Sequence, residues 1–111
     1  MTGITTHVLD ITNGRPLVNL EVELYDVATE PPTRLRHTRT NADGRTDSPM
    51  LPADAARTGQ FELRFHVGAH FKAADGLSDV VPVRFAIFDA TQHYHVPMLC
   101  APWFFSTYRG S

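Results

Sequence analysis

Residues Leu20–Leu24 read LEVEL, with an apolar side chain at every second position. Successive side chains of a β-strand point to opposite faces, so this alternation predicts a strand with one apolar face and one wet face. The same period of two recurs at Phe61–Phe65 (FELRF) and at Val81–Ile87 (VPVRFAI). The dominant period along the chain is two rather than the 3.6 of a helix, and the sequence therefore predicts an all-β protein.

Turn-forming residues separate these alternating rows, at Asn13-Gly14, at Asn41–Gly44 and at Asp89–Thr91. Many short strands with regular turns favour a β-sandwich of antiparallel strands. One short helix is predicted at Gly68–Asp75, where the alternation is lost, and the proline-bearing stretch Ser48–Gly59 is predicted as a loop. We expect seven or eight strands, near residues 4–11, 17–26, 33–40, 44–47, 60–66, 80–88, 92–100 and 103–109.

Length and composition suit one domain spanning residues 1–111. The net charge is −2 with both signs mixed along the chain, so no nucleic-acid-binding or membrane-binding surface is expected. The single cysteine, Cys100, excludes an internal disulfide, and no apolar run approaches the roughly 18 residues of a spanning helix. The first residues lack the basic and apolar regions of a signal peptide, so we expect a cytoplasmic protein.

The chain contains six histidines, of which three fall on strand faces that could form a site. Period two places His7 on one face with Thr5 and Leu9. It also places His93 and His95 on one face of a late strand. For any single histidine the simpler interpretation is a half-exposed strand residue. A zinc site built from His7, His93 and His95 is an alternative. No cysteine or carboxylate accompanies the pair at the usual spacing, so we expect no metal.

Arg45 and the end of the chain are the other candidates. Arg45 follows the Asn41–Gly44 turn, where a solvated hairpin arginine is the simplest interpretation. Tyr108–Ser111 end the chain, and chain ends usually fray. The preceding aromatic residues Trp103–Phe105 nevertheless favour a last strand, which would bring Tyr108 and the α-carboxylate of Ser111 close to a sheet.

Four motifs, taken together and in order, resemble the transthyretin-related hydrolases that act on 5-hydroxyisourate. They are His7–Asp10 followed by Gly14–Pro16, then Thr40–Arg45, His93–Pro97 and Ser106–Ser111. The terminal Tyr108–Ser111, YRGS, is the most specific of them, because the hormone-carrying transthyretins share the fold and lack this tetrapeptide. The resemblance covers essentially the whole chain. It departs from the usual pattern at Phe105, Trp103, Cys100 and His70, none of them a catalytic position of the family.

The resemblance implies a transthyretin-like β-sandwich that assembles as a homotetramer, a dimer of dimers, with active sites at the dimer–dimer interface of a central channel. It implies hydrolysis of 5-hydroxyisourate at its N1–C6 amide, giving 2-oxo-4-hydroxy-4-carboxy-5-ureidoimidazoline in urate degradation, a branch of purine catabolism. His7, Arg45 and His95 would be the catalytic residues, with Tyr108 and Ser111 binding substrate beside His7 and Arg45. No cofactor is implied.

The residue types suit this reaction on chemical grounds as well. Opening a cyclic amide requires a nucleophilic water, a charge for the developing oxyanion and a proton for the leaving nitrogen. A neutral imidazole can accept or donate the proton near pH 7, and a guanidinium stays charged beside the carbonyl oxygen. Which histidine accepts the proton stays open at this point. The alternative function is a transthyretin-like small-ligand binding protein without catalytic activity, which would need no convergent histidines and arginine.

Overall fold

A computed structural model describes residues 3–71, 76–77 and 79–110, and these form two packed four-stranded sheets. One sheet has the strand order β2-β1-β7-β8 and the other β4-β3-β5-β6. This is the predicted β-sandwich. The strands are β1 (Gly3–Asp10), β2 (Arg15–Pro16), β3 (Glu21–Asp26), β4 (Thr33–Arg39), β5 (Gly59–Phe65), β6 (Val81–Ile87), β7 (His93–Ala101) and β8 (Phe104–Thr107).

The three alternating rows form the core as predicted. Leu24, Phe61 and Phe65 are fully buried, while Pro82 and Arg84 between the apolar residues of β6 are exposed. Val83 and Phe85 pack against the core as partly buried residues. Burying a large apolar side chain contributes about 1.5–3 kcal/mol, so these rows hold the two sheets together.

Two short helices lie outside the sheets. Helix α1 (Val67–Phe71) overlaps the start of the predicted helix at Gly68–Asp75, whose residues 72–75 lie outside the described part of the chain. The predicted loop Ser48–Gly59 contains a single 3-10 turn at Ala53–Ala55. No helix among the described residues is long and apolar enough to cross a membrane.

The region near 44–47 is not the strand that the sequence predicts. Gly44 adopts a positive φ of 73°, and only Arg45 forms an isolated antiparallel bridge, to His7. The left-handed conformation at Gly44 is not that of a strand, and it starts the segment in a turn rather than in a ladder. An eighth strand comes instead from β2 (Arg15–Pro16), which lies just before the predicted strand near 17–26.

One pair of strands is parallel, whereas antiparallel neighbours were expected. β1 and β7 run side by side in register, with Thr5 opposite His95 and His7 opposite Pro97. Parallel neighbours need a long crossover connection, and here the chain passes through the whole opposite sheet between them. Local sequence patterns contain no signal for such a distant pairing.

Gly44 holds the loop of Arg45 against β1. The backbone N–H of Val8 donates to the Gly44 oxygen at 2.8 Å, and a Cβ at Gly44 would collide with the backbone oxygen of Val8. Gly14 has nearly the same φ, 72°, but a Cβ there would meet nothing within 4 Å. The two glycines therefore separate the cost of backbone conformation from the cost of crowding.

We predict that Gly44→Ala destabilises the fold more than Gly14→Ala. Both variants place an L-residue in the left-handed region, at a cost of about 1–2 kcal/mol. Gly44→Ala adds the crowding against Val8, a further cost of about 1–3 kcal/mol. Urea unfolding followed by circular dichroism measures the difference. Equal losses of stability in the two variants would show that the loop is not held tightly against β1.

Candidate active site

The pairing of β1 with β7 brings the predicted histidines onto one half-buried face. Because Thr5 is opposite His95 and His7 opposite Pro97, the side chains of His7 and His95 are diagonal neighbours on the sheet. Thr5, His7 and His95 are partly exposed, whereas the alternate residues Ile4 and Val8 are fully buried in the core. Period two therefore separates a core face from a chemically polar face along both strands.

Arg45 reaches the same region through its tight turn. The backbone of Arg45 forms an isolated antiparallel bridge with that of His7. The turn is closed by Asn41, whose backbone N–H donates to the Arg45 backbone oxygen at 2.7 Å. The side-chain oxygen of Asn41 accepts from the N–H groups of Asp43 and Arg45, at 2.9 and 3.2 Å. Asparagine is suited to this position because its side chain can cap a turn through the following backbone amides. The Arg45 side chain is exposed.

An open cleft of about 430 Å³ lies beside these residues. Its lining includes Thr5, Arg45, Asp47, His93 and His95. His7 adjoins the cleft through its bridge to Arg45. The structure therefore brings together His7, Arg45 and His95, the three residues that the sequence singles out as catalytic.

The surroundings keep both histidines in their neutral form. Burial lowers the pKa of His95, and the positive charge of Arg45, then His93 and His7, lowers it further. A hydrogen bond with the Thr5 backbone acts in the opposite direction. The pKa of His7 is lowered by burial and then by Arg45, against a hydrogen bond to the Asp43 backbone and the Asp43 charge. Low local polarity and a nearby cation both disfavour the imidazolium ion.

Thr5 and His93 complete the polar face. The Thr5 hydroxyl lies 2.9 Å from His95 Nδ1 and 2.8 Å from His93 Nε2. The two imidazole rings stack, with centroids 6.5 Å apart and an interplanar angle of 13°. The period of two places Thr5 on the face of His7, but its contact with β7 depends on the parallel pairing, for which the sequence contains no signal.

The described part of the terminal motif is attached to β7 and does not fray. The Gly110 N–H donates to the His95 oxygen at 2.7 Å. The Arg109 guanidinium donates to the His93 oxygen at 3.2 Å and lies 4.1 Å from the centroid of the Tyr94 ring. A Cβ at Gly110 would lie 2.7 Å from Cδ2 of His95, so the absence of a side chain there lets the tail lie against the ring.

Of the two predicted substrate-binding residues of the tail, the structure describes Tyr108, which does not line the cleft of its own chain. Tyr108 is 57% exposed and lines a separate depression with Phe85, Phe88 and Tyr94. Ser111 lies outside the described residues. Of the terminal residues that the structure describes, only Gly110 touches His95 directly.

A different group of side chains has the arrangement of metal ligands. Among the described residues, the three that bring ligand atoms within 4.8 Å of one another are Glu21, Glu23 and His66, on the opposite sheet. His66 Nε2 donates to Glu23 at 2.7 Å, and Glu23 also accepts from Tyr25 and Arg34. The ligand atoms of Glu23 and His66 are therefore already engaged in hydrogen bonds. His7, His93 and His95 do not form such a group in the described part of the chain.

The fold is a two-sheet sandwich, and a cleft lined by histidines and an arginine lies on one sheet. These features define a transthyretin-like protein with a polar site. The family model described as HIUase/Transthyretin family matches residues 4–110. The chain belongs to this family.

Individual relatives agree with this assignment. The 5-hydroxyisourate hydrolase of Deinococcus radiodurans is 45% identical, over 98% of this chain and 96% of that protein. The solved 5-hydroxyisourate hydrolase of Klebsiella pneumoniae is 33% identical, with a TM-score of 0.84 and complete coverage of both chains. Sea bream transthyretin, solved with thyroxine, matches 96% of this chain and 93% of its own with a TM-score of 0.86. At 17% identity, it shows the shared fold alone.

We predict that Arg45→Gln raises the pKa of both His7 and His95. Both values lie below the ordinary imidazole value of about 6.5. Removing the cation removes one cause of the lowering, so each ring would gain its proton at a higher pH. Ring titrations by NMR measure this. Arg39→Gln, an exposed arginine on the opposite sheet, is the control and should change neither pKa. Unchanged titrations in Arg45→Gln would show that the guanidinium does not act on these rings.

Proposed function

We propose that this protein is a 5-hydroxyisourate hydrolase that opens the cyclic amide of its substrate with water. The observation that carries the proposal is a cleft lined by His95 and Arg45 with His7 beside it, in which burial and the Arg45 charge lower the pKa of both imidazoles. Relatives up to 45% identical over almost the whole chain bear this name. Amide hydrolysis needs a proton acceptor and a stabilised oxyanion, and this cleft offers both with protein groups alone, with no cofactor.

The proposed catalytic residues are His7, Arg45 and His95. Because their pKa values are lowered, His7 and His95 are neutral at pH 7 and can take a proton from water or position it. Arg45 offers forked donors to the carbonyl oxygen, where negative charge develops as water attacks. The imidazolium formed in the attack would return its proton to the leaving nitrogen.

We infer that the active form is a homotetramer built as a dimer of dimers. Edge strand β8, the turn that precedes it and the turn after β6 expose large apolar side chains, among them Phe88 at 85% and Trp103 at 60%. Exposed apolar surface on this scale favours association, and pairing of edge strands would cover it. A facing dimer would close the open cleft and shield Arg45 from water. Tyr108, which is remote from its own cleft, would then bind substrate across an interface, and Ser111 would add a carboxylate.

The substrate chemistry assigns the protein to urate degradation, within purine catabolism. 5-Hydroxyisourate is an oxidation product of urate, so an enzyme that oxidises urate must supply it. The product, 2-oxo-4-hydroxy-4-carboxy-5-ureidoimidazoline, keeps the carboxylate released by ring opening. We place this reaction in the cytoplasm. Neither a nucleic acid nor a membrane is needed as a partner.

The second candidate is a transthyretin-like binding protein that holds a small ligand without turnover. The shared fold with sea bream transthyretin, solved with thyroxine, is the observation in its favour. The polar lining of the cleft argues against it, because a carrier of an apolar ligand gains nothing from desolvating imidazoles beside a guanidinium.

A direct assay separates the two functions. Urate oxidase generates 5-hydroxyisourate from urate, and its decay is followed by its ultraviolet band with and without this protein. A hydrolase accelerates the decay in proportion to its concentration. A binding protein saturates with ligand and leaves the decay unaccelerated, which would overturn the proposed function.

We predict that His7→Ala, Arg45→Ala and His95→Ala each lower kcat by about 10²- to 10⁴-fold, the usual contribution of a proton-transfer group or an oxyanion donor. Each side chain lies on the partly exposed or exposed side of its element, so circular dichroism should show a folded protein. His37→Ala, an exposed histidine on the opposite sheet, is the control and should keep full activity. Near-normal rates in all three site variants would mean that the chemistry takes place elsewhere.

We predict that deleting Tyr108–Ser111 abolishes hydrolysis and leaves a folded, tetrameric sandwich. The deletion removes the Gly110 contact to His95 and the Arg109 contacts to β7, while the apolar rows of the core stay complete. An error of about 1 Å in a site can cost about 10²-fold in rate. Size-exclusion chromatography and the ultraviolet assay decide the outcome. An active truncated tetramer would show that this motif is not part of the site.

A further inference from the structure

Thr5 lies at the centre of the polar face, and the proposed chemistry assigns it no role. Its hydroxyl lies 2.9 Å from Nδ1 of His95 and 2.8 Å from Nε2 of His93. Both distances are those of good hydrogen bonds. One hydroxyl therefore joins the two rings on the face that lines the cleft.

The number of available protons limits which group donates and which accepts in these two hydrogen bonds. A hydroxyl has one proton to donate and accepts with its lone pairs, whereas a neutral imidazole carries its proton on one ring nitrogen only. If Thr5 donates to His93 Nε2, it can accept only from a protonated Nδ1 of His95. If it donates to His95 Nδ1 instead, the proton of the neutral His95 ring must sit on Nε2, which then cannot act as a base.

The backbone of Thr5 distinguishes these two arrangements. The His95 ring also forms a hydrogen bond with the Thr5 backbone, and this bond favours the protonated ring. A bond that favours the protonated form is one in which the ring nitrogen donates. The backbone bond thus favours a proton on the side of the ring that faces Thr5, where Nδ1 lies 2.9 Å from the hydroxyl, and the hydroxyl can accept from that proton. The hydroxyl proton is then free to be donated to His93 Nε2 at 2.8 Å.

We propose that Thr5 is a positioning residue that fixes His95 in the tautomer protonated on Nδ1 and thereby makes Nε2 of His95 the acceptor of the proton from water. The nitrogen that bears the proton in a histidine is set by the hydrogen bond of the other one. This role rests on the proposed function. The residue pattern alone does not say whether His7 or His95 accepts the proton from water, and the position of Thr5 assigns that step to His95.

The corresponding step is balanced. An O–H bond of water breaks, its proton goes to the Nε2 lone pair, and the oxygen forms a bond to the amide carbon. The π electrons of the carbonyl move to its oxygen beside the Arg45 guanidinium. His95 is then an imidazolium, stabilised through Nδ1 by Thr5, and it returns the Nε2 proton to the ring nitrogen as the C–N bond breaks.

The test combines the tautomer of the His95 ring, measured by NMR, with the rate of hydrolysis. The ring ¹⁵N shifts of His95 are measured in the free wild-type protein, in Thr5→Val, which keeps the shape, and in Thr5→Ser, which keeps the hydroxyl. Thr38→Val, at a half-buried position of β4 in the opposite sheet, is the matched control. The charged and titratable groups around His95 are Arg45 and Asp47 of the loop, His7 of β1 and His93 of β7. They are unchanged in every variant.

We expect an unprotonated Nε2 in neutral His95 of the wild-type protein. Thr5→Val should lower kcat by about ten- to a hundredfold with little change in KM, since the base is misdirected rather than removed. It should also move the acidic limb of the pH profile to lower pH, because the imidazolium loses an acceptor for its Nδ1 proton. Thr5→Ser should restore both values, and Thr38→Val should alter neither.

A proton on Nε2 of the wild-type His95 ring would overturn the proposal. A normal kcat in Thr5→Val would also overturn it, and so would a reduced kcat with the acidic limb of the pH profile unchanged. The last result would mean that Thr5 only packs. The NMR measurement needs no substrate, so it stands apart from the proposed function. A wild-type protein with the expected tautomer but no hydrolysis would overturn the function, whereas active hydrolysis with a proton on Nε2 would overturn the role of Thr5.

Discussion

The parallel pairing of β1 with β7 is the constraint on which the site depends. The two strands are far apart in sequence, and their register sets Thr5 opposite His95 and His7 opposite Pro97. A slip of one residue would exchange the faces, burying the histidines and exposing core residues such as Ile4 and Val8. The fully buried side chains of the same strands therefore fix the register, and the register fixes the geometry of the polar face.

Arg45 is added to this face by backbone geometry rather than by packing of its own side chain. The Asn41–Gly44 turn is closed by amide bonds, and Gly44 lies against Val8 because it has no Cβ. The result is a cation beside partly buried imidazoles whose pKa values are lowered, so the arrangement costs stability at acidic pH, where the imidazoles of the unfolded chain are protonated. A stable fold would not need this arrangement, whereas a base that works near neutral pH benefits from it.

The sequence predicted the sandwich because its core rows alternate with period two over Leu20–Leu24 and Phe61–Phe65, and burial followed the pattern. It could not predict that β1 and β7 are parallel neighbours, because pairing across the whole chain has no local signal. The family resemblance singled out His7, Arg45 and His95 where local pattern alone favoured solvated residues. The strand expected near 44–47 was wrong, since Gly44 is left-handed and Arg45 forms only an isolated bridge. The role of Thr5 needs distances that only a folded chain provides.

Histidine has opposite electrostatic surroundings on the two sheets. His66 faces carboxylates: burial alone would raise the pKa of Glu23, but hydrogen bonds from His66, Tyr25 and Arg34 lower it to about 2. The His66 ring is held by this carboxylate through a hydrogen bond of 2.7 Å. His95 instead has Arg45 nearby, and the Asp47 carboxylate of the cleft accepts from Asn41 at 3.0 Å. The sign of the neighbouring charge therefore differs between the two rings: a carboxylate is bonded to His66, whereas a guanidinium lowers the pKa of His95, as the proposed role of His95 as a proton acceptor requires.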